Sequence, residues 1–432
     1  MSPIRSLWAS TRSRCRGASV FLSLWLCAAC GAPGHGANDM AGTNDVQINQ
    51  MTTGSIQVPS LCERTTLDRR ITMTGADSFA FTWVDDHYQV VYEDHATQDI
   101  FAVKLSREGM VQGAAVPVEQ TASKSSLPAI LRTPGGFVVA WQEEDVPAVR
   151  THGLTLDGLP TGNGQQIAVA RSSQIRPVLA DSPAGVAISW MDQAAASSMN
   201  NDTLGTSSAY LGLLDASYAL RTDLPARTLG SGGDAGYPWL AGSATALEVL
   251  YSATTTQTDV YVAPITAGAS ALTIGASKDV RDLSAANEAL LGRLTRTDFG
   301  YLASWEDHRS GEAEIYLALL DATGKRYAGG LVEEPATGNA NWSHQAWTGS
   351  AAGIVYYQYR SGRPQIFMTF IDQTGARIGG AADMQVSNTP ASARFPSVQW
   401  DGSQFGVIWI DSRSSPVELY FNSAVCKKSA PI

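Results

Sequence analysis

Asp94, Glu143, Asp192, Asp307 and Asp411 share one repeated position, each two residues past an aromatic that ends an apolar run. Arg309, Arg360 and Arg413 lie four past theirs, and Asp99, Asp259, Glu314 and Glu418 open the apolar runs that follow. Carboxylates and guanidiniums so spaced can fix a loop through charged hydrogen bonds or contact a polar ligand. Calcium would need the dense oxygen spacing of an EF-hand, which no loop supplies. An active site needs one constellation in one place, so a pattern that recurs along the chain reads first as structural.

Chemistry that would break the repeat is sparse. There is no GxSxG elbow, HExxH pair or P-loop, and the histidines show no metal-ligand spacing, so neither a metal nor another cofactor is expected. Paired carboxylates for glycoside hydrolysis stay open, because their separation of about 5 to 9 Å is set by folding and not by sequence adjacency. Asp85 and Asp86, or Asp192, are the candidates, beside the plainer reading as turn and surface acids. A formal charge of -10 argues against nucleic acid, whose binding draws on clustered Lys and Arg.

The elements that position these residues repeat. YQVVY ending at Tyr92, FVVAW at Trp141, VAISW at Trp190, ALEVLY at Tyr251, YLASW at Trp305, GIVYY at Tyr356 and FGVIW at Trp409 follow one another at intervals of 49, 49, 61, 54, 51 and 53 residues. Each has a shorter apolar run and polar turn upstream, often begun by a proline (Pro128, Pro177, Pro238, Pro396), and a strand-like run downstream such as Glu314 to Leu320. A weaker fourth run follows in places. The expectation is an all-β, seven-bladed β-propeller of four-stranded blades. The anchor aromatics read as packing between blades and not as sugar platforms.

The last unit lacks a fourth strand, and RRITMT from Arg69 to Thr74 is expected to supply it, closing the ring. Cys62 and Cys426 flank this seam and are expected to form a disulfide. In the third unit the loop after Trp190, DQAAASSMNNDTLGTSS, is longer than its counterparts by about ten residues, and insertions in repeat folds map to binding faces. Asp192, Asn200, Asn201 and Asp202, with His308, Arg309, Arg360 and Arg413 on the same face, are therefore the candidate ligand-binding residues.

The first residues are basic (Arg5, Arg12, Arg14, Arg16), then apolar to Leu26, then small, which is the plan of a signal peptide over 1–29. A Gly/Ala/Asn/Thr-rich tether follows over 30–60, the propeller over 61–427 and a tail over 428–432. Cys27-Ala28-Ala29-Cys30-Gly31 resembles a bacterial lipobox, with Cys27 where Leu is usual; the resemblance implies acylation of Cys30 and attachment to a membrane through lipid.

The unit of apolar strand, W-E-D-x-R, polar loop, acidic-I-Y strand and D-x-x-G turn resembles repeats of bacterial secreted and lipoprotein β-propellers over nearly all of 66–422. In general outline the chain is also similar to sialidase-like propellers, without their S-x-D-x-G-x-x-W box. The resemblance implies an outer-membrane or extracellular location. The functional expectation is a non-enzymatic propeller binding an envelope protein or polysaccharide. The alternatives are a glycan-active hydrolase with a central carboxylate site and a purely structural surface lipoprotein.

Overall fold

The computed structural model describes residues 61–427 except 66, 147, 170–172, 194–206, 231–233, 255–256, 282–287, 333–338, 361 and 380–381. The expected signal peptide, Cys30, the tether and the tail lie outside the described residues.

Seven antiparallel sheets form the molecule. Blade 1 comprises Ala76–Val84, His87–Asp94, Ile100–Ser106 and Val111–Glu119. The first strands of blades 2 to 7 are Ser125–Thr133, Ser173–Ser182, Asp234–Ser243, Ala289–Arg296, Ala340–Trp347 and Ala393–Trp400. Each first strand touches the first strands of both neighbours, and blade 7 returns to blade 1, so these strands form the inner wall of a closed ring.

Both faces of every blade are apolar because both are covered. Ile130, Phe137 and Trp141 of blade 2 pack with Ala80, Val91 and Ile100 of blade 1 in one cluster, and Ala129, Leu131 and Val149 pack with Leu179, Ile188 and Trp190 of blade 3 in the next. This is why the second strands lack polar alternation: Gly300–Asp307 is buried along its whole length.

The seam differs in detail from the expected single strand. The chain enters blade 7 in two pieces, Leu61–Arg64 beside Ala424 to Lys427 and Arg69–Arg70 beside Tyr420 and Phe421. Between them Asp68 accepts hydrogen bonds from Arg413 at 2.8 Å and Asn422 at 2.8 Å, and the Asn388 N–H at 3.0 Å. Buried Glu418 takes Arg70 and the Thr72 hydroxyl. Cys62 and Cys426, directly opposite in register, form the disulfide.

Candidate functional site

The repeated acids and arginines build a clasp. In six blades the anchor aromatic faces an aromatic of the third strand: Tyr92 on Phe101, Trp190 on Tyr210, Tyr251 on Tyr261, Trp305 on Tyr316, Tyr356 on Phe367 and Trp409 on Tyr420. Residues two apart on a strand share a face, so the acid at the second position past the anchor meets the indole. Trp141, Trp305 and Trp409 donate to Glu143 at 2.7 Å, Asp307 at 2.9 Å and Asp411 at 3.0 Å. Arg309 then forks onto Asp307 and lies 4.0 Å over the Tyr316 ring. Arg413 donates from one nitrogen, Nη2, to Asp411 at 2.6 Å and lies over Tyr420, also at 4.0 Å. Arg360 lies 4.0 Å over Phe367 but bonds Gln358 and Asp383.

The three predicted arginines are thus each tied to their own blade and are not gathered at one point. His308 begins the loop of blade 5, its N–H on the Glu288 carbonyl at 3.0 Å. Asp192 closes its strand opposite Gln174 and Ser208. Asn200, Asn201 and Asp202 lie outside the described residues. Asp85 and Asp86 form the first hairpin of blade 1, at the other end of the sheet from the strand ends that carry Asp192 in blade 3.

A second repeated feature lies nearer the axis. Every first strand breaks register after its first one to three residues, between Ala76/Phe79, Ser126/Ala129, Ile175/Val178, Gly236/Trp239, Leu290/Arg293, Asn341/His344 and Arg394/Ser397. In six of these bulges one residue has left-handed φ: Leu127 (52°), Arg176 (58°), Tyr237 (51°), Leu291 (55°), Trp342 (58°) and Phe395 (55°). Asp77 holds the place in blade 1. Non-glycine residues avoid this region, and bulges re-aim side chains. Leu127, Arg176, Tyr237, Leu291 and Phe395 are each partly exposed. Because Ala289 pairs with Asp307 and Ala393 with Asp411, the bulges lie at the same end of the ring as the clasps.

Neighbouring blades hold these bulges by their freed N–H groups. Glu306 accepts from the Trp342 N–H at 2.6 Å; the Leu127 N–H donates to Ser78 at 2.9 Å, which donates to Glu93 at 2.6 Å. Side chains of blades 4, 5 and 6 then meet beside these bulges. Arg293 of blade 5 lies 4.4 Å from Trp239 of blade 4 and 4.8 Å from Trp342 of blade 6, while Trp239 meets His344 edge-on at 5.9 Å. Arg176 lies 4.5 Å over Tyr237. This end of the ring, its mouth, thus carries three chemical sectors: acids at blades 1 and 2, guanidiniums at blades 3 and 5, and Trp342, Tyr357 and Phe395 in edge contact at blades 6 and 7.

Electrostatics differ between the sectors. Burial pushes Arg293 down to about 9 and Arg176 to about 10, with Glu306 pulling both back up. Burial pushes Glu93 up to about 7, opposed by Lys124 and Ser78 and reinforced by Asp77 and Glu144. Lys124 bridges the two acids, 3.3 Å from Glu93 and 3.1 Å from Glu144. Among the described residues no group of three or more His, Cys, Asp or Glu is placed to hold a metal.

Sequence reasoning missed the ring of bulges. Its one signal was the proline recurring directly after Leu127, Arg176, Tyr237 and Phe395. These prolines sit inside the first strands, at the bulges, and not at the strand starts: a residue without N–H is tolerated equally well at either place.

Neither a family profile nor a curated protein matches the sequence. Among solved structures, the chain is similar to puromycin hydrolase at 12% identity and TM-score 0.51, covering 82% of this chain and 54% of that one. A puromycin-hydrolyzing peptidase of Mycobacterium tuberculosis matches at 15% identity and TM-score 0.47, over 81% and 53% of the two chains. The phage phi92 endosialidase matches at 12% and 0.48, over 85% and 70%. The chain thus spans about half the length of the hydrolases it matches first. At these identities the likeness is one of fold, and the fold it supports is the seven-bladed β-propeller built by the sheets described above.

Proposed function

We propose that this chain is a non-enzymatic binding propeller whose recognition surface is the mouth, and that its ligand is an envelope polysaccharide. The observation that supports this is the set of six left-handed bulge residues: one backbone device is repeated while its side chain, partly exposed in five of the six, changes from blade to blade. A merely structural repeat has no reason to vary that side chain among Leu, Arg, Tyr, Trp and Phe while keeping the backbone in a costly conformation. Aromatic edges and faces for sugar rings, with charged groups for hydroxyls and acidic substituents, are the chemistry such a surface supplies. The test is binding of the purified protein to an array of acidic and neutral bacterial polysaccharides. Binding that is lost in Tyr237→Gly and Phe395→Gly supports the reading; an array without binders, or retention by both variants, defeats it.

Glu93 supports a second reading, a glycan-active hydrolase. A carboxyl held near neutrality and joined to Glu144 through Lys124 is the kind of pair that acid-assisted glycoside cleavage uses. Against it, Glu93 is committed through Ser78 to the Leu127 bulge. Turnover of a defined glycan that disappears in both Glu93→Gln and Glu144→Gln would select the enzyme over the binder.

Export, and acylation at Cys30, belong to the same proposal. Its support is the sequence of residues 1–31 and the disulfide, which suits an oxidising compartment. Among the described residues no helix is long and apolar enough to cross a membrane. The mass of the mature N-terminal peptide tests it.

A further inference from the structure

At the mouth, one run of aromatic rings follows the junction of blades 6 and 7. Trp342 meets Phe395 edge-on at 5.3 Å, Phe395 meets Tyr357 at 5.8 Å, and Tyr357 meets Tyr359 at 6.2 Å, with interplanar angles of 84°, 79° and 71°. Two bulges set the first two rings, since Trp342 and Phe395 are the left-handed residues of their strands. The run leads outward to Tyr359, on the loop that follows the second strand of blade 6 at Gln358. An edge contact covers at most one face of one ring of the pair, so ring faces are left over along the strip. Phe395, Tyr357 and Tyr359 are each partly exposed.

A guanidinium stands at each end of the strip. Arg293 lies 4.8 Å from the Trp342 ring; Arg394 lies 5.8 Å from the Tyr359 ring and donates to its hydroxyl at 3.0 Å. Among the described residues neither forms an ion pair, whereas Arg309, Arg360 and Arg413 at the same end are each bound to an acid. Arg394 is exposed, while Arg293 is 5% exposed and its Nε is buried without a hydrogen-bond partner among the described residues. Glu306, the acid whose charge acts on Arg293, is committed to the Trp342 N–H. An unmatched buried guanidinium costs free energy that an incoming anion recovers. We infer that this strip binds a chain of carboxylate-bearing sugars, a polyuronate, with pyranose C–H faces on Phe395, Tyr357 and Tyr359 and carboxylates at Arg394 and Arg293. The inference rests on the reading of the mouth as a polysaccharide surface and narrows its ligand. One planar fork at each end matches a planar, singly charged carboxylate, and the rings between them carry the body of the sugar chain.

The test is calorimetric titration of the full chain with polygalacturonate, with the same polymer after reduction of its carboxyls to alcohols, with monomeric galacturonate and with poly(glycerol phosphate). Polygalacturonate should bind, and each of the other three should bind about tenfold more weakly or worse. Arg394→Gln should weaken polygalacturonate binding about tenfold without moving the melting temperature, and Tyr359→Ala about threefold. Lys325→Gln, the same loss of charge in a turn at the opposite end of blade 5, should leave it unchanged. Equal affinity for the reduced polymer, for the monomer or for poly(glycerol phosphate), or undiminished affinity in Arg394→Gln, overturns the inference. In those cases the mouth still stands as a polysaccharide surface if Tyr237→Gly and Phe395→Gly lose binding. A chain that binds no polysaccharide at all overturns both.

Discussion

The Trp305 indole N–H donates to the Asp307 carboxylate at 2.9 Å, two residues further along the same strand. The same carboxylate receives Arg309, so one acid joins the inter-blade core to the loop beyond it. Burial alone would push Asp307 up; Arg309 and the indole outweigh it and hold it below the ordinary carboxylate range. Its contribution is therefore present above the unfolded value of 3.8 and lost as pH falls through the lower folded value. Asp307→Ala, which strands a buried indole donor and a guanidinium, should cost about 2–4 kcal/mol in urea unfolding. Arg309→Lys, which keeps the charge and gives up the fork and the ring contact, should cost about 1 kcal/mol.

The disulfide spans a sequence separation of 364, so it removes a large loop from the unfolded ensemble. Cys62→Ser with Cys426→Ser should lower stability by about 3–5 kcal/mol. Denaturant unfolding checks the value, and mass analysis without reductant should find the two half-cystine peptides joined.

At the bulges the usual order of alanine and glycine should invert. Phe395 sits at φ 55°, a conformation that costs an alanine about 1–2 kcal/mol and a glycine almost nothing. Phe395→Gly should therefore be more stable than Phe395→Ala by about 1 kcal/mol, although both lose the same ring. Equal stabilities, or a more stable alanine, would show that the strained backbone relaxes once the ring is gone.

Glu248 is 3% exposed, and burial pushes its carboxyl from 4.5 up to about 7, against the pull of Lys278. Between those two values the folded protein keeps a proton that the unfolded chain has released. Stability should fall across that window by up to about 3 kcal/mol from Glu248, with buried Glu93 adding a comparable fall, so Glu248→Gln should remove about half of it. Thermal unfolding of both proteins from pH 5 to 8 measures the difference.

The blades and the clasps were legible because each rests on a residue type that recurs. A buried aromatic every 49 to 61 residues marks the second strands, and the acid two places on is visible because the indole and the loop both need it. The mouth was not legible. Its defining feature is a backbone conformation shared by residues with no side-chain property in common, and such a repeat leaves no trace in hydropathy. The closing strand is legible only in part: Leu61–Arg64 is four residues long, two apolar and then two polar, without the alternation that marks a half-buried strand, so only Arg69 to Thr74 stands out. The ligand candidates at 200–202 rest on loop length and lie outside the described residues.

The seam also dictates an order of events. Arg69 and Arg70 are among the earliest residues of the propeller to leave the ribosome, yet their partners Tyr420 and Phe421 are among the last. Blades 1 to 6 can stack as they emerge, while the seventh must wait for almost the whole chain. Until then the exposed flanks of blades 1 and 6, Phe81 and Val355 among them, have no cover of their own. A chain truncated a few residues before Glu418 should therefore aggregate as an open arc.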